Sequence, residues 1–198
     1  NGGQMSQANK PSIGIVNSKL FGETAEAIFH AEVMKHNIKR VEKNLDTLHI
    51  AKPQGDNLPY DYLIGMGHKF LKIQIKSTNK KRPEFVLAKG SSGPKKGKRD
   101  GTGKDINGVN RRNGKRIYDV GDFDYVCCYH HKTGYWWIIP SSSKVLYSDG
   151  VPENGNYKGS LTCSLGEGTY KGRELIFNKY RNNWKFDYPI LENENESL

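Results

Sequence analysis

No hydrophobic run in the 198 residues is long enough to cross a bilayer, and no charged-then-apolar leader opens the chain, so no membrane association is expected. Cysteine is scarce: Cys127, Cys128 and Cys163 are odd in number, and none are spaced Cys-x-x-Cys. The adjacent pair would face opposite ways on a strand. That spacing excludes a disulfide framework and a cysteine zinc site, and it points to a reducing, cytoplasmic compartment. Internal repeats are absent as well, which excludes solenoids. Apolar residues reach only 35%, yet eleven Tyr, seven Phe and three Trp supply the bulk for a globular core. One domain is expected over residues 18–190, with a flexible polar arm at 1–17 and an acidic, frayed tail at 191–198.

Acidic charge is also in short supply, and unevenly so. The chain carries 31 Lys+Arg against 21 Asp+Glu, a net charge of +10. Between residues 76 and 116 there are 14 basic residues against Glu84, Asp100 and Asp105, a local excess of +11. The remainder holds 17 basic and 18 acidic residues and is neutral to within one charge. One central segment therefore carries the whole excess, as expected of a polyanion-binding element. Seven glycines within residues 89–116 predict a long, flexible basic loop rather than a regular element.

Around this loop the pattern is mixed α and β. Ser18 can cap a helix in which Leu20, Phe21, Ala25, Ile28, Phe29 and Val33 recur at helical spacing, ending near His36 and Asn37. A hairpin follows, with strands at 60–64 and 70–77 joined through Gly67-His68, a pair suited to a II′ turn. In that register paired positions sum to 135, so Asp61 lies opposite Gln74, Lys76 shares their face, and Ile73 and Ile75 point into the core. Further strands are expected at 84–88, 123–130, 135–140, 157–165 and 173–177, and a helical turn at 180–184. A helix followed by strands, with few further helices, predicts an α/β or α+β sheet.

Asp61, Gln74 and Lys76 are polar positions in an otherwise apolar hairpin. Acceptor oxygens on adjacent strands suit a hard divalent cation such as Mg²⁺, which binds through few protein oxygens. A lysine beside them can orient an attacking water or offset charge on a phosphate in transfer. An ordinary solvent-exposed sheet face accounts for the same three residues equally well.

The run Pro-Tyr-Asp-Tyr-Leu-Ile (59–64), followed after a short gap by Lys-Ile-Gln-Ile-Lys-Ser (72–77), resembles the core of the PD-(D/E)XK nuclease superfamily. The upstream helix, with Gly22 four residues before Glu26, is similar to that family's first-helix pattern, and residues 122–126 and 136–140 to its later core strands. The likeness is nearest to group I intron-associated homing endonucleases, in which Gln replaces the second acid, and to restriction endonucleases. It covers about residues 18 to 140, and the basic insertion matches nothing in it. The resemblance implies a restriction-endonuclease-like α/β core: a central mixed sheet flanked by helices. It implies that Asp61 is the central metal ligand and Lys76 the catalytic lysine, with Gln74 in place of the second carboxylate. The carbonyl of Ile75 would be a further metal ligand, and Glu26 would hold metal through water, with Glu23 as runner-up. One or two Mg²⁺ ions fit such a site. The departures are Pro59, two residues before Asp61 rather than one, and the uncharged Gln74.

These readings lead to a Mg²⁺-dependent, sequence-specific endonuclease acting on double-stranded DNA as a homodimer. Lys80, Lys81, Arg82, Lys95, Lys96, Lys98, Arg99, Arg111, Arg112, Lys115 and Arg116 would bind DNA, with Arg111, Arg112 and Arg116 placed to read base edges. Two alternatives compete: a structure-specific nuclease like a Holliday junction resolvase, and an inert DNA-binding module. Gly101 to Lys104 resembles a phosphate-binding loop but fails, since Lys98 stands where its first Gly belongs and Asp105 where Ser or Thr belongs. His130-His131 reads as an exposed turn. At least one of Trp136 and Trp137 belongs to the core, as do Tyr118, Tyr129 and Tyr135 unless they stack on bases.

Overall fold

A 30-residue helix, α1 (Ile13–Glu42), lies against one face of a five-stranded sheet in this computed structural model. The structure describes residues 13–54, 58–89, 111–112, 115–148, 150, 152, 157–165, 169–170, 173–174 and 177–186. Ala25, Phe29 and Val33 recur every fourth residue and are fully buried, which is the apolar stripe that docks the helix. α1 is longer than expected at both ends. Ser18 lies inside it, and Asn37 continues it because its side chain is engaged elsewhere. Nδ2 of Asn37 donates to the Leu48 carbonyl (2.8 Å) and Oδ1 accepts from the Leu48 N–H (2.7 Å). The true end is a Schellman turn: Leu45 N–H reaches the Arg40 carbonyl, Asn44 N–H reaches that of Val41, and Asn44 takes φ 54°.

The sheet is built from β1 (His49–Ala51), β2 (Tyr62–Met66), β3 (Lys69–Thr78), β8 (Tyr125–His130) and β9 (Tyr135–Pro140), side by side in that order. β2 is antiparallel to both of its neighbours, β1 and β3, β8 runs parallel to β3, and β9 is antiparallel to β8. The first hairpin has the expected register, Met66 facing Lys69 and Tyr62 facing Ile73, with Gly67 at φ 60° in the turn. The chain between β3 and β8 makes the crossover that a parallel pair requires.

Both faces of the sheet are buried, and alternation along the strands feeds two cores. Ile64, Ile73, Ile75, Tyr125, Cys127, Trp136 and Ile138 pack with α1. Val126, Cys128, Trp137 and Ile139 pack on the other side with Phe85, Leu87, Tyr118, Phe123, Leu146, Tyr157 and Leu161. The second layer has little regular structure. It contains β4 (Glu84–Val86) paired with β10 (Ser160–Thr162), and a small sheet of β5 (Ala88–Lys89), β7 (Lys115–Ile117) and β6 (Arg111–Arg112). A short pair, β11 (Thr169–Tyr170) and β12 (Arg173–Glu174), follows. Residues 180–184, expected to be helical, begin at the end of a 3-10 turn (Asn178–Tyr180), and Arg181 then bridges to Trp137 at the sheet edge.

Candidate active site

The β2–β3 ladder ends at Tyr62 opposite Ile73. Asp61, one residue beyond, turns out of register: its N–H bonds to the Ile73 carbonyl (2.8 Å), and its Oδ2 accepts the Ile75 N–H (2.6 Å). The side chain thus takes the place of the strand residue that Ile75 lacks. Along a strand, a residue's N–H and C=O point to the same side. The Ile75 carbonyl is therefore directed past the end of β2 and not into β8.

Gln74 completes this network. It is nearly fully buried, and its Nε2 donates both to Asp61 Oδ2 (2.5 Å) and to the Ile75 carbonyl (2.9 Å). The amide NH₂, a partial positive charge, bridges two oxygens of the kind a hard cation prefers. Burial pushes the Asp61 carboxyl up to about 6, against the opposing pull of the Ile75 N–H and the Lys76 charge. The Gln74 face is therefore no solvent-exposed sheet surface. It opposes Val126 of β8 and lies beneath the second layer.

Lys76, two residues further along that face, is half-buried. Its Nζ is 3.5 Å from the Ala88 carbonyl and 5.1 Å from the centre of the Tyr118 ring. Ala88 and Tyr118 bound the basic insertion at its two ends, so the insertion is rooted at Lys76. Its base is not loop: Ala88 pairs with Ile117, Lys89 with Arg116, Arg111 with Arg116, and Arg112 with Lys115. The glycine count masked these short strands, whose pairing partners lie up to 29 residues apart.

On the helix side a cleft of about 450 Å³ opens, lined by Lys19, Gly22, Glu23, Glu26, Lys52, Pro53, Leu58, Tyr60 and Asp61. Glu26, the expected helix acid, therefore faces the same space as Asp61. Its Oε2 accepts a 2.7 Å hydrogen bond from Lys52 Nζ, and donating that bond raises the Lys52 ammonium above its usual range. Glu23 also lines the cleft but is more exposed and pairs with Lys19 at 3.6 Å. Lys52 went unseen in the sequence. It is 26 residues from Glu26, and only the placement of β1 beside β2 brings the two together.

A profile of the PD-(D/E)XK endonucleases matches residues 16–151, more than two thirds of the chain. The chain belongs to the PD-(D/E)XK endonuclease family. It is a nuclease. The solved structure of a bacterial homing endonuclease, I-Ssp6803I, is similar at a TM-score of 0.52, with 21% identity over 91% of this chain and 97% of that one. No curated protein matches.

PD-(D/E)XK nucleases generally use divalent metal ions, and the donor chemistry here fits one. Asp61 presents a carboxylate oxygen and Ile75 a carbonyl on either side of the Gln74 amide, and a half-turn of that amide would bring Oε1 to the same point in place of Nε2. Among the described residues no three His, Cys, Asp or Glu side chains come together to hold a metal, here or elsewhere, so a metal at this point would depend on the Gln74 amide and the Ile75 carbonyl beside Asp61. His130 is buried rather than exposed: Nδ1 is 2.9 Å from Thr133 Oγ1, and Nε2 is 2.9 Å from the Lys80 carbonyl. It anchors the turn after β3. His131 packs against Phe21 and Tyr129.

Of the residues expected to bind DNA, Lys80, Lys81 and Arg82 are exposed just beyond β3, with Lys80 paired to Glu84 at 2.7 Å. Arg111, Arg112, Lys115 and Arg116 lie on β6 and β7. Lys95, Lys96, Lys98 and Arg99 lie outside the described residues. Trp136 and Trp137 are both buried, one in each core, and Tyr118 and Tyr129 are core residues too. No helix among the described residues is long and apolar enough to cross a membrane.

Proposed function

We propose that this nuclease is a Mg²⁺-dependent endonuclease that cuts double-stranded DNA at a specific sequence, of homing or restriction type, and acts as a homodimer. The observation that carries this reading is the Asp61–Gln74–Ile75 hydrogen-bonded cluster, with Lys76 beside it and the basic insertion rooted on Lys76. Asp61, the Gln74 amide oxygen and the Ile75 carbonyl would hold Mg²⁺, and Glu26 would hold it through water. Bound there, Mg²⁺ supplies Lewis-acid polarisation of the phosphate and lowers the pKa of water. Gln74 is neutral and weakens the pull on a second ion, so the site would take one ion as readily as two.

The chain's own groups do the rest. Asp61 is fixed by the Ile75 N–H, so the carboxylate does not have to be ordered on loading. Lys76, held between the Ala88 carbonyl and the Tyr118 face, orients the attacking water and offsets charge developing on the phosphate. Tyr118 is pushed above the usual tyrosine range by burial, so it stays neutral and serves as a face for the ammonium. The insertion supplies affinity through phosphates and specificity through arginines. Arg111, Arg112, Lys115 and Arg116 pair along the backbone of β6 and β7, which gathers four basic residues at the base of the insertion. Cutting both strands calls for two sites, hence the homodimer.

Plasmid, random duplex and a four-way junction, each with Mg²⁺ or EDTA, test this reading. Discrete duplex fragments with Mg²⁺ alone are the expected result. Junction-only cutting would replace it with a structure-specific nuclease, and binding without cleavage would leave an inert DNA-binding module.

A further inference from the structure

Asp61, the Ile75 carbonyl and Glu26, all assigned to the metal, are already engaged by donors from within the chain. Gln74 Nε2 bridges Asp61 and the Ile75 carbonyl, and the Lys52 ammonium sits on Glu26. The two donors differ in what they can do next. Gln74 is buried in the strand, whereas the Lys52 side chain is 60% exposed on a flexible stem at the mouth of the cleft. The other lysine of that cleft, Lys19, is paired with Glu23. Three carboxylates and two lysines line the cleft, a net −1 that disfavours a DNA phosphate. One divalent cation turns it to +1, which matches the single charge of a backbone phosphate.

We propose that Lys52 is a phosphate-contacting residue of the cleavage site, held on Glu26 in the metal-free protein and passed to the phosphate of the cut strand once metal draws Glu26 away. The Glu26–Lys52 pair keeps a cation parked beside the site and keeps Glu26 turned toward the cleft. Metal binding breaks that pair, so the ammonium becomes available to substrate only in the loaded site. This inference rests on the metal-site reading above.

Titrating Mn²⁺ into the protein without DNA, followed by calorimetry, gives the first readout. Lys52→Met removes the competitor for Glu26, so it should bind Mn²⁺ about fivefold more tightly than the parent. Single-turnover cleavage of duplex DNA at saturating Mg²⁺ gives the second: Lys52→Met should be roughly tenfold slower, and Lys52→Arg should recover most of the rate. Tighter metal binding with slower cleavage is a crossed pattern that a merely structural lysine would not produce. Unchanged or weaker Mn²⁺ binding by Lys52→Met, or parent-like cleavage at saturating metal, overturns the inference. Asp61→Asn separates the two levels. If it abolishes Mn²⁺ binding while Lys52→Met binds no more tightly, only the role of Lys52 falls. If Asp61→Asn binds Mn²⁺ like the parent, the metal site and this inference fall together.

Discussion

Asp61 is the residue at which folding and chemistry conflict. Its carboxyl is pushed up to about 6 from 3.8, so between these values the folded protein keeps a proton that the unfolded chain releases. Metal-free stability therefore falls as pH rises through that window, and at pH 7 the buried carboxylate opposes folding by about 2–3 kcal/mol. Asp61→Asn should raise the Tm of the metal-free protein at pH 7.5 and gain less at pH 5, as read by thermal melts in EDTA. The same titration predicts that divalent-metal affinity weakens as pH drops below about 6. Gln74→Glu tests the neighbouring position. A second carboxylate against Asp61 should lower the Tm in EDTA and tighten Mn²⁺ binding, because like charges repel until a cation separates them. A variant that melts like the parent in EDTA would mean that Gln74 does not face Asp61 in solution.

At the scale of elements, the helix end and the first hairpin hold the site from opposite sides. Asn37 makes two buried hydrogen bonds to Leu48, fixing the chain that leads through β1 to Lys52. Asn37→Ala should cost about 2–3 kcal/mol in denaturant melts, since it strands a buried N–H and C=O. Gly67→Ala, strained at φ 60° but in open space, should cost about 1 kcal/mol and leave cleavage unchanged, the turn being at the far end of β3 from Gln74. The hairpin was legible because a Gly-led two-residue turn and alternating apolar residues specify one register, and with it the proximity of Asp61 to Gln74. The turn of Asp61 out of that register was not legible, for it depends on where β2 stops. The extension of α1 past Asn37 was hidden for a similar reason: a residue that reads as a helix stop forms a tertiary clamp instead. Both-face burial of β8 is visible in its unbroken apolar run, but the irregular layer covering Gln74 is assembled from segments scattered between Phe85 and Tyr180.

On the scale of the whole molecule, the +11 of residues 76–116 begins at Lys76 and returns to it through Ala88 and Tyr118. That closure is what links the charge to the Asp61–Gln74–Ile75 cluster. If Lys115 and Arg116 each neutralise one phosphate, the double substitution to Ala should shallow the slope of log K against log salt by about 2, measured by fluorescence anisotropy on duplex DNA in EDTA. An unchanged slope would place the DNA elsewhere. The central claim, that Asp61 and Lys76 cut DNA with a divalent metal, is tested most directly by single-turnover cleavage of a duplex that the parent cuts in Mg²⁺. Asp61→Asn and Lys76→Ala should each lose about a thousandfold in rate while holding duplex affinity within about threefold in EDTA. Cleavage at the parent's rate by either variant would contradict the account.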